Sequence, residues 1–317
     1  MKALLKSAVF ALAAVSASAT AAPVKVDAGL PAYKEVSGIS GNISSIGSDT
    51  LANLMTFWAE GFRKHYPNVR IQIEAKGSST APPALIAGTS QIGPMSREMK
   101  NTEIDAFEKK YGYKPTEIKV SLDALSVFVN KNNPVDKLTL KQVDGIFSKT
   151  LRGGGANIKD WSQVDGSKGQ ISLYGRNSAS GTYGFFKDNA LYKGDYKATV
   201  KEQPGSASVV QGVGRDANGI GYSGMGYQTS AVKALKLAKE EGGSYIEASA
   251  EGVYSGKYPL KRYLFLYINK APNRPLDPMV AEFVKFVLSK DGQQITIKDG
   301  FLPLPAETAD KESSKVD

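Results

Sequence analysis

The stretch Tyr174-Gly175-Arg176-Asn177-Ser178-Ala179-Ser180-Gly181-Thr182-Tyr183-Gly184-Phe185-Phe186 places one guanidinium, several hydroxyls and three glycines just ahead of an apolar run. A short strand, Ile171 to Tyr174, leads into it, and the aromatic run from Tyr183 to Phe186 is typical of the opening turn of a helix. The first N–H groups of a helix have no acceptor within it, so those from Ser180 to Tyr183 would point into the loop. Small residues let an oxyanion approach this backbone, and Arg176 adds a planar, permanently charged donor. The stretch therefore predicts an anion site where the strand passes into the helix.

Two turns nearer the N-terminus repeat this design of a strand, a turn of small hydroxyl residues and a helix. The first is Gly47-Ser48-Asp49-Thr50, and the second is Gly77-Ser78-Ser79-Thr80. Taken singly, each turn is typical of a plain helix N-cap, and either Ser48 or Asp49 would cap the helix that follows. Helix N-termini and hydroxyl donors can also hold an anion without many full charges. Together with Ser178 to Thr182, the turns predict two halves of a cleft that closes on one tetrahedral oxyanion.

The architecture follows from the order of the elements. Strands alternate with helices along most of the chain, which predicts an α/β fold with mainly parallel sheets. A length of 317 residues is too great for one compact core of ordinary size, so two lobes are expected. Two long apolar strands, Ile118 to Asn130 and Arg262 to Ile268, are predicted to cross between the lobes. The predicted division is a signal peptide at 1–22, a discontinuous first lobe at 23–122 plus 264–317, and a second lobe at 123–263.

Two further segments are predicted from local pattern alone. Ala231 to Lys239 is predicted to be a helix. The tail from Ala306 to Asp317 is polar and is predicted to be disordered.

The N-terminal segment and the absence of cysteine indicate where the protein works. Met1 to Ala22 has a basic head, a short apolar middle and a small-residue end, which predict a secretory signal peptide cleaved near Ala19 to Ala22. Its apolar run is too short to span a bilayer. The lack of cysteine excludes disulfides, thiolate metal sites and lipid attachment to an N-terminal cysteine. We therefore expect a periplasmic protein that is not lipidated, with secretion as a further option.

The charge balance is positive but not concentrated. The formal net charge is +9, and loss of Lys2 and Lys6 with the signal peptide would leave +7. This balance suits an anionic ligand. Lysine and arginine are spread evenly, and the basic stripe with interleaved aromatics that is typical of nucleic-acid-binding proteins is missing. We therefore expect no nucleic acid partner.

The sequence contains few of the residue patterns that enzymes use for catalysis. His65 is the only histidine, and it falls near the apolar face of the helix from Leu51 to Tyr66, where a structural role is favoured over a place in a Ser-His-Asp triad. A Gly-x-Ser-x-Gly elbow, a His-Glu-x-x-His pair and a P-loop are all missing. A two-metal phosphatase would need clustered histidines and carboxylates. We therefore expect no enzyme activity, no cofactor and no metal.

Taken in order, these motifs resemble those of the phosphate-binding proteins of bacterial phosphate ABC transporters. The motifs are Gly47 to Thr50, Lys76 to Thr80, Gln91 to Met99, Arg176-x-x-x-Ser180-Gly181-Thr182, Leu138 to Phe147 followed by Trp161, and Gly219 to Tyr222. The resemblance covers nearly all of the mature chain. It implies a type II periplasmic binding protein fold, with two lobes, two mixed sheets flanked by helices and a two-strand hinge. It further implies a monomer that binds inorganic phosphate in its cleft and delivers it to an inner-membrane ABC transporter permease.

The resemblance also implies the ligand set. Arg176 corresponds to the family's ligand arginine, and either Ser78 or Ser79 to the serine of its second turn. The full set of implied phosphate ligands is Ser48, Asp49, Thr50, Ser78, Ser79, Ser96, Arg176, Ser180, Gly181 and Thr182. The sequence leaves open another oxyanion, such as sulfate or molybdate, and an adhesion role at the cell surface.

One position departs from the family's pattern. Some members carry an aspartate after the Ile-Gly strand that accepts the proton of monoprotonated phosphate, whereas this chain has Ser96. Such an acceptor rejects sulfate, which has no proton to give. Asp49 is our candidate replacement, although it would equally serve as an N-cap of its own helix, and the Ser96 hydroxyl is a weaker alternative. Arg97 is either a second cation in the cleft or a salt-bridge partner of Glu98 or another nearby acid.

Overall fold

The structure is a computed structural model, and it describes residues 23–317. The predicted signal peptide at 1–22 lies outside the described residues. Across 23–317, no helix combines the length and the apolar character that a membrane crossing requires.

Strands and helices alternate through the first two thirds of the described chain. The strands are β1 (Gly41–Ile46), β2 (Val69–Glu74), β3 (Ile92–Met95), β4 (Thr116–Asn130), β5 (Lys137–Thr139), β6 (Ser172–Arg176), β7 (Lys201–Gln203), β8 (Gly219–Gly224), β9 (Val232–Ala234), β10 (Lys236–Ala238) and β11 (Lys261–Ile268). The α-helices are α1 (Ala52–His65), α2 (Ala81–Ala87), α3 (Asn101–Tyr111), α4 (Leu140–Phe147), α5 (Gly181–Ala190), α6 (Ser206–Arg215), α7 (Ala250–Tyr254), α8 (Pro278–Leu288), α9 (Lys290–Lys298) and α10 (Ala306–Ser313).

The strands form one continuous path that divides into two mixed sheets. In the first sheet, β2, β1 and β3 are parallel neighbours, and β11 lies antiparallel between β3 and the first part of β4. In the second sheet, the last part of β4 pairs antiparallel with β8 and β9, and β8 continues through β6 to β7 in parallel. The pairing of β4 changes from β11 to β8 between Ala124 and Leu125, and β11 carries a register shift between Leu264 and Phe265.

This arrangement confirms the predicted α/β class and the two mixed sheets. Of the two strands predicted to cross between the lobes, β4 pairs in both sheets, whereas β11 pairs only with β3 and the first part of β4. The residue at which the pairing changes lies close to the predicted lobe boundary at 122/123. The complete division into lobes stays a prediction.

The first two hydroxyl-rich turns lie at one edge of the first sheet because each follows one of its parallel strands. Backbone hydrogen bonds hold them together, from Gly77 N to Gly47 O at 2.8 Å and from Ser48 N to Pro94 O at 2.8 Å. A Cβ at residue 47 would lie 2.2 Å from Pro94 O, so only glycine permits this approach.

Each sheet packs against its own aromatic residues. On the first sheet, Phe62 of α1 meets Phe283 of α8 edge to face, with ring centroids 5.4 Å apart. On the second, Phe186 of α5 stacks on Tyr222 of β8 at 4.0 Å. These contacts fix α1 and α5, two of the helices that begin at the cleft.

His65 has the structural position that the sequence predicts. Its Nδ1 lies 2.7 Å from the Glu35 carboxylate, and its ring packs edge to face against Tyr33 and Phe286.

Two local predictions are wrong. Residues 231–239 form β9 and β10 instead of a helix, because β4 and β5 offer them backbone pairing partners that local pattern cannot reveal. The C-terminal tail forms α10 instead of being disordered. Its Glu312 is buried and accepts a hydrogen bond from Lys119 N at 2.9 Å, so one polar residue anchors the tail to β4.

Candidate functional site

A cluster of buried hydroxyls lies where the two sheets face one another. Its members, which we call the hydroxyl cluster, are Ser48, Thr50, Ser78, Ser96 and Thr182, and each is at most 3% exposed.

The members of the cluster contact one another across the cleft. Ser48 Oγ donates to Ser96 Oγ at 3.0 Å, and Ser78 Oγ lies 3.3 Å from the same oxygen. Thr182 belongs to α5 of the second sheet, and its Oγ1 lies 2.8 Å from Thr50 Oγ1 and 3.4 Å from Ser96 Oγ. The three predicted turns therefore meet, with Ser96 at the centre of the cluster.

The first turn of α5 is pressed against the cluster. Ser180 is the N-cap of this helix, and its Oγ accepts from Tyr183 N at 3.2 Å. The N–H groups of Gly181 and Thr182 belong to the first turn, so no carbonyl of the helix accepts from them. A Cβ at residue 181 would lie 2.2 Å from Ser78 Oγ, which shows how closely this backbone approaches the opposite sheet.

Asp49 and Arg176 form an ion pair across the cleft. Arg176 Nη1 lies 3.0 Å from Asp49 Oδ1, and it also donates to Ser206 Oγ at 2.9 Å. Asp49 Oδ1 in turn accepts from Ser206 N, the first residue of α6, at 2.7 Å. Asp49 therefore caps a helix of the opposite sheet. The alternative that Asp49 caps its own helix is wrong, because Ser48 Oγ takes that role by accepting from Thr50 N at 3.2 Å.

Further hydrogen bonds join the two sides. Tyr227 Oη donates to the carbonyls of Asp49 and Thr50 at 3.0 and 3.1 Å. Burial, with a contribution from the Asp49 charge, raises the pKa of Tyr227 well above its ordinary value, so this hydroxyl stays a donor. Ser79 N donates to Ala179 O at 3.0 Å. The structure is therefore that of a closed cleft.

Arg97 is a structural ion-pair partner in this arrangement. Its guanidinium makes a two-fold contact with Glu103, at 2.7 and 2.8 Å, rather than with the side chain of Glu98. Burial would raise the pKa of Glu103, but hydrogen bonds from Arg97 and from Lys100 N outweigh it and hold that pKa below its ordinary value. Arg97 Nη2 also donates to Ser79 Oγ at 3.1 Å. This contact turns Ser79 away from the hydroxyl cluster, in which Ser78 is the member from the second turn.

The structure adds a second buried ion pair that sequence reasoning missed. Arg262 and Asp123 are cross-strand partners on β11 and β4, with Nε 2.8 Å from Oδ2. Arg262 Nη1 reaches the hydroxyl cluster, where it donates to Thr182 Oγ1 and to Ser96 O at 3.0 Å each. Burial lowers the pKa of Arg262, and Asp123 opposes that shift. The available signal was one acid and one arginine of opposite charge, each in one of the two long apolar strands that are predicted to cross between the lobes.

The arrangement is suited to holding an anion. Hydroxyls, first-turn N–H groups and guanidinium groups converge from both sheets, and most of them are hydrogen-bond donors. Residues 23–317 contain no cluster of three or more histidine, aspartate or glutamate side chains with the geometry of a metal site. The site has the donors to bind and enclose an oxyanion.

Comparison with known proteins agrees with this geometry. A family model described as a PBP superfamily domain matches residues 32–291. The phosphate-binding protein PstS of Pseudomonas aeruginosa PAO1 is 55% identical over 98% of this chain and 97% of its own length. Protein SphX of Synechococcus elongatus is 30% identical over 86% of this chain and 81% of its own.

Solved structures show the same architecture. A protein from Clostridium perfringens, described as a candidate phosphate ABC transporter substrate-binding protein with bound phosphate, superimposes with a TM-score of 0.71 at 28% identity. The superposition covers 83% of this chain and all of that one. An ABC-type phosphate transport receptor from Vibrio cholerae has the same fold, with a TM-score of 0.65 at 22% identity and 83% of this chain covered.

Proposed function

The chain belongs to the PBP superfamily and, within it, to the phosphate-binding proteins named PstS, and from this premise we propose that it binds inorganic phosphate in its cleft for an ABC transporter. The observation that carries the proposal is the hydroxyl cluster, which both sheets build and which the first turn of α5 closes. The chain acts as a binding protein and not as an enzyme.

The proposed ligand set contains the hydroxyl cluster, Arg176, Ser180 and the N–H groups of Gly181 and Thr182. Hydroxyl and amide donors surround a tetrahedral anion in any orientation of its four oxygens, and the α5 N-terminus contributes the positive end of its dipole. Arg176 supplies charge-assisted hydrogen bonds. Ser78 is preferred over Ser79, whose hydroxyl is already paired with Arg97.

Asp49 is the proposed acceptor for the proton of monoprotonated phosphate. Its carboxylate lies beside Arg176, and its Oδ1 accepts from Ser206 N, so Oδ2 is the oxygen left to accept from a ligand. Sulfate would place a fully charged oxygen against this carboxylate and would be rejected. The Ser96 hydroxyl is the alternative acceptor, and it would discriminate less strongly.

The transport context adds further proposals. The protein is exported to the periplasm by its signal peptide, works as a monomer and presents its closed form to an inner-membrane permease. Its lobes are 23–122 plus 264–317 and 123–263, hinged at β4 and β11. Size-exclusion chromatography with light scattering, with and without phosphate, tests the monomer, and a mass near that of a dimer would contradict it.

The function is tested by isothermal titration calorimetry of the mature protein with phosphate, sulfate and molybdate. We expect phosphate to bind tightest. Arg176→Ala should weaken phosphate binding by about 100-fold, since it removes hydrogen bonds to a charged ligand and leaves the Asp49 carboxylate unpaired beside the anion.

Arg97→Ala is the matched control, because Arg97 is also buried and paired with an acid but lies outside the proposed ligand set. A parent protein that prefers sulfate or molybdate would refute the phosphate proposal. An Arg176→Ala variant with parental affinity would refute the site.

A further inference from the structure

Arg262 occupies a position that neither its strand nor the ion pair with Asp123 explains. Its side chain is 2% exposed, and it leaves the start of β11 toward the centre of the closed cleft. Nε donates to Asp123, while Nη1 donates to Ser96 O on one side of the cleft and to Thr182 Oγ1 on the other. A residue needed only to neutralise Asp123 would not have to reach both sides.

The guanidinium also holds an unused donor. Nη2 lies 2.7 Å from Asp123 Oδ2, but the contact lacks hydrogen-bond alignment, and this buried nitrogen has no hydrogen-bond partner within residues 23–317. A buried donor without a partner costs free energy comparable to that of a lost hydrogen bond. Such a donor, on a guanidinium whose Nη1 contacts the hydroxyl cluster, is explained most simply if a ligand completes its bonding.

Arg262 sets the direction of the hydrogen bonds in the hydroxyl cluster. Arginine can only donate, so Thr182 Oγ1 must use a lone pair to accept from Nη1. The Thr182 hydroxyl proton is then free to be donated to a neighbouring acceptor. Arg262 thereby turns Thr182 into a donor for an anion.

The two arginines of the site differ in what they contact. Arg176 Nη1 is paired with Asp49 and Ser206, at the side of the cleft where α6 begins. Arg262 directly contacts members of the hydroxyl cluster. Of the two guanidinium groups, the one on the hinge strand is therefore in hydrogen-bond contact with the donors that would surround the ligand.

The geometry points to Arg262 as a second arginine ligand of the oxyanion, held in place by Asp123. This inference rests on the proposed phosphate-binding function and extends its ligand set to the hinge. Because Arg262 reaches the site from a crossing strand, it serves both halves of the clamp at once. The full negative charge of the phosphate dianion then meets two guanidinium groups, those of Arg176 and Arg262.

The experiment uses calorimetry on the mature chain with phosphate, at one pH below and one above the second ionisation of phosphate. Arg262→Met removes the charge and keeps the length of the side chain. Because it leaves Asp123 buried without a partner, a second variant combines Arg262→Met with Asp123→Asn. Asparagine keeps the Oδ1 acceptor that takes a 3.0 Å hydrogen bond from Met225 N. Arg97→Met is the control for loss of a buried, acid-paired arginine.

We expect the double variant to bind phosphate about 10- to 100-fold more weakly than the parent above the second ionisation, as loss of a hydrogen bond to a charged ligand predicts. The loss should be smaller below it, where the ligand carries one charge. A purely structural role for Arg262 would lower the affinity by the same factor at both pH values and would overturn the inference. Parental affinity in the double variant would overturn it as well.

The outcome for the parent separates this inference from the proposed function. A parent that binds no phosphate at either pH would refute the proposed function, and this inference with it. A parent that binds phosphate while both Arg262 variants bind equally well would refute this inference alone. Arg262→Lys should recover part of the affinity, because it restores a charge without the planar fork.

Discussion

Gly181→Ala adds one methyl group at the point where the two halves of the cleft come closest. Its Cβ would lie 2.2 Å from Ser78 Oγ, 2.8 Å from Ser78 Cβ and 2.7 Å from Ser96 Oγ. Buried hydroxyls that are tied to one another have little room to withdraw, so α5 must retreat by about 1 Å or more to reach ordinary contact distances. The substitution should therefore prevent full closure without disturbing either sheet.

The cost can be worked out from the contacts that the retreat breaks. The hydrogen bond between Ser79 N and Ala179 O crosses the cleft outside the hydroxyls that are proposed to bind phosphate. It contributes about 1 kcal/mol net, so closure loses about 1 kcal/mol. If phosphate binds only to the closed form, this loss corresponds to a phosphate affinity about 5-fold lower.

Gly184→Ala is the matched control in the same helix. Its Cβ would meet only the Arg97 side chain, at an ordinary van der Waals distance of 3.4 Å, so the affinity should stay within about two-fold of the parent. Calorimetry measures the affinity, and small-angle X-ray scattering with saturating phosphate measures the closure. A Gly181→Ala protein that binds and compacts like the parent would refute the reasoning, because the cleft would then close without this approach.

Two carboxylates yield the remaining predictions. Asp49→Asn should reduce the preference for phosphate over sulfate while phosphate still binds, because asparagine keeps an acceptor oxygen but no longer repels a fully charged ligand. Competition calorimetry with sulfate measures this preference. Unchanged discrimination would favour Ser96 as the acceptor. Burial raises the pKa of Asp299 from 3.8 to about 7, so the folded protein holds a proton that the unfolded chain has released. The free energy of unfolding should therefore fall as the pH rises from about 4 to about 7, and Asp299→Asn should make that fall smaller. Urea unfolding at a series of pH values checks this, and an equal slope in parent and variant would contradict it.

The parts of the site that the sequence predicts are those with a local signature. A strand, a small hydroxyl turn and a helix follow one another within a few residues, so the three turns and Arg176 can be recognised from the order of amino acids alone. The crossing strands are equally visible as long apolar runs. These features depend on neighbours along the chain, which is why their predicted positions agree with the structure.

The partners of the charged residues cannot be read in the same way. Asp49 follows a strand and opens a helical turn, so locally it resembles an N-cap, and only the meeting of the two sheets directs it to Arg176 and α6. Arg262 and Asp123 lie 139 positions apart. Their pairing depends on the register of β11 against β4, and a one-residue slip would turn the two side chains to opposite faces.

The errors in secondary structure have the same origin. Residues 231–239 have no local pattern that rules out a helix, and the free edges of β4 and β5 decide the outcome. The C-terminal tail is polar by composition, yet Ala309 and Val316 are buried together with Glu312. The amino-acid composition describes the average polarity of a segment, whereas the packing of that segment against the protein depends on a few buried positions.

Strand β4 runs through both sheets, so it connects the two proposed lobes elastically. A flexible linker would let the proposed lobes swing freely. A continuous hydrogen-bonded strand can only bend and twist, so the proposed closure would deform β4 along its length. The change of partner between Ala124 and Leu125 is where β4 would bend most easily, because its ladder with β11 ends there and its ladder with β8 begins. If the lobes close on phosphate as proposed, energy stored in that bend would oppose closure and be returned on opening, and this would help the bound ion to leave.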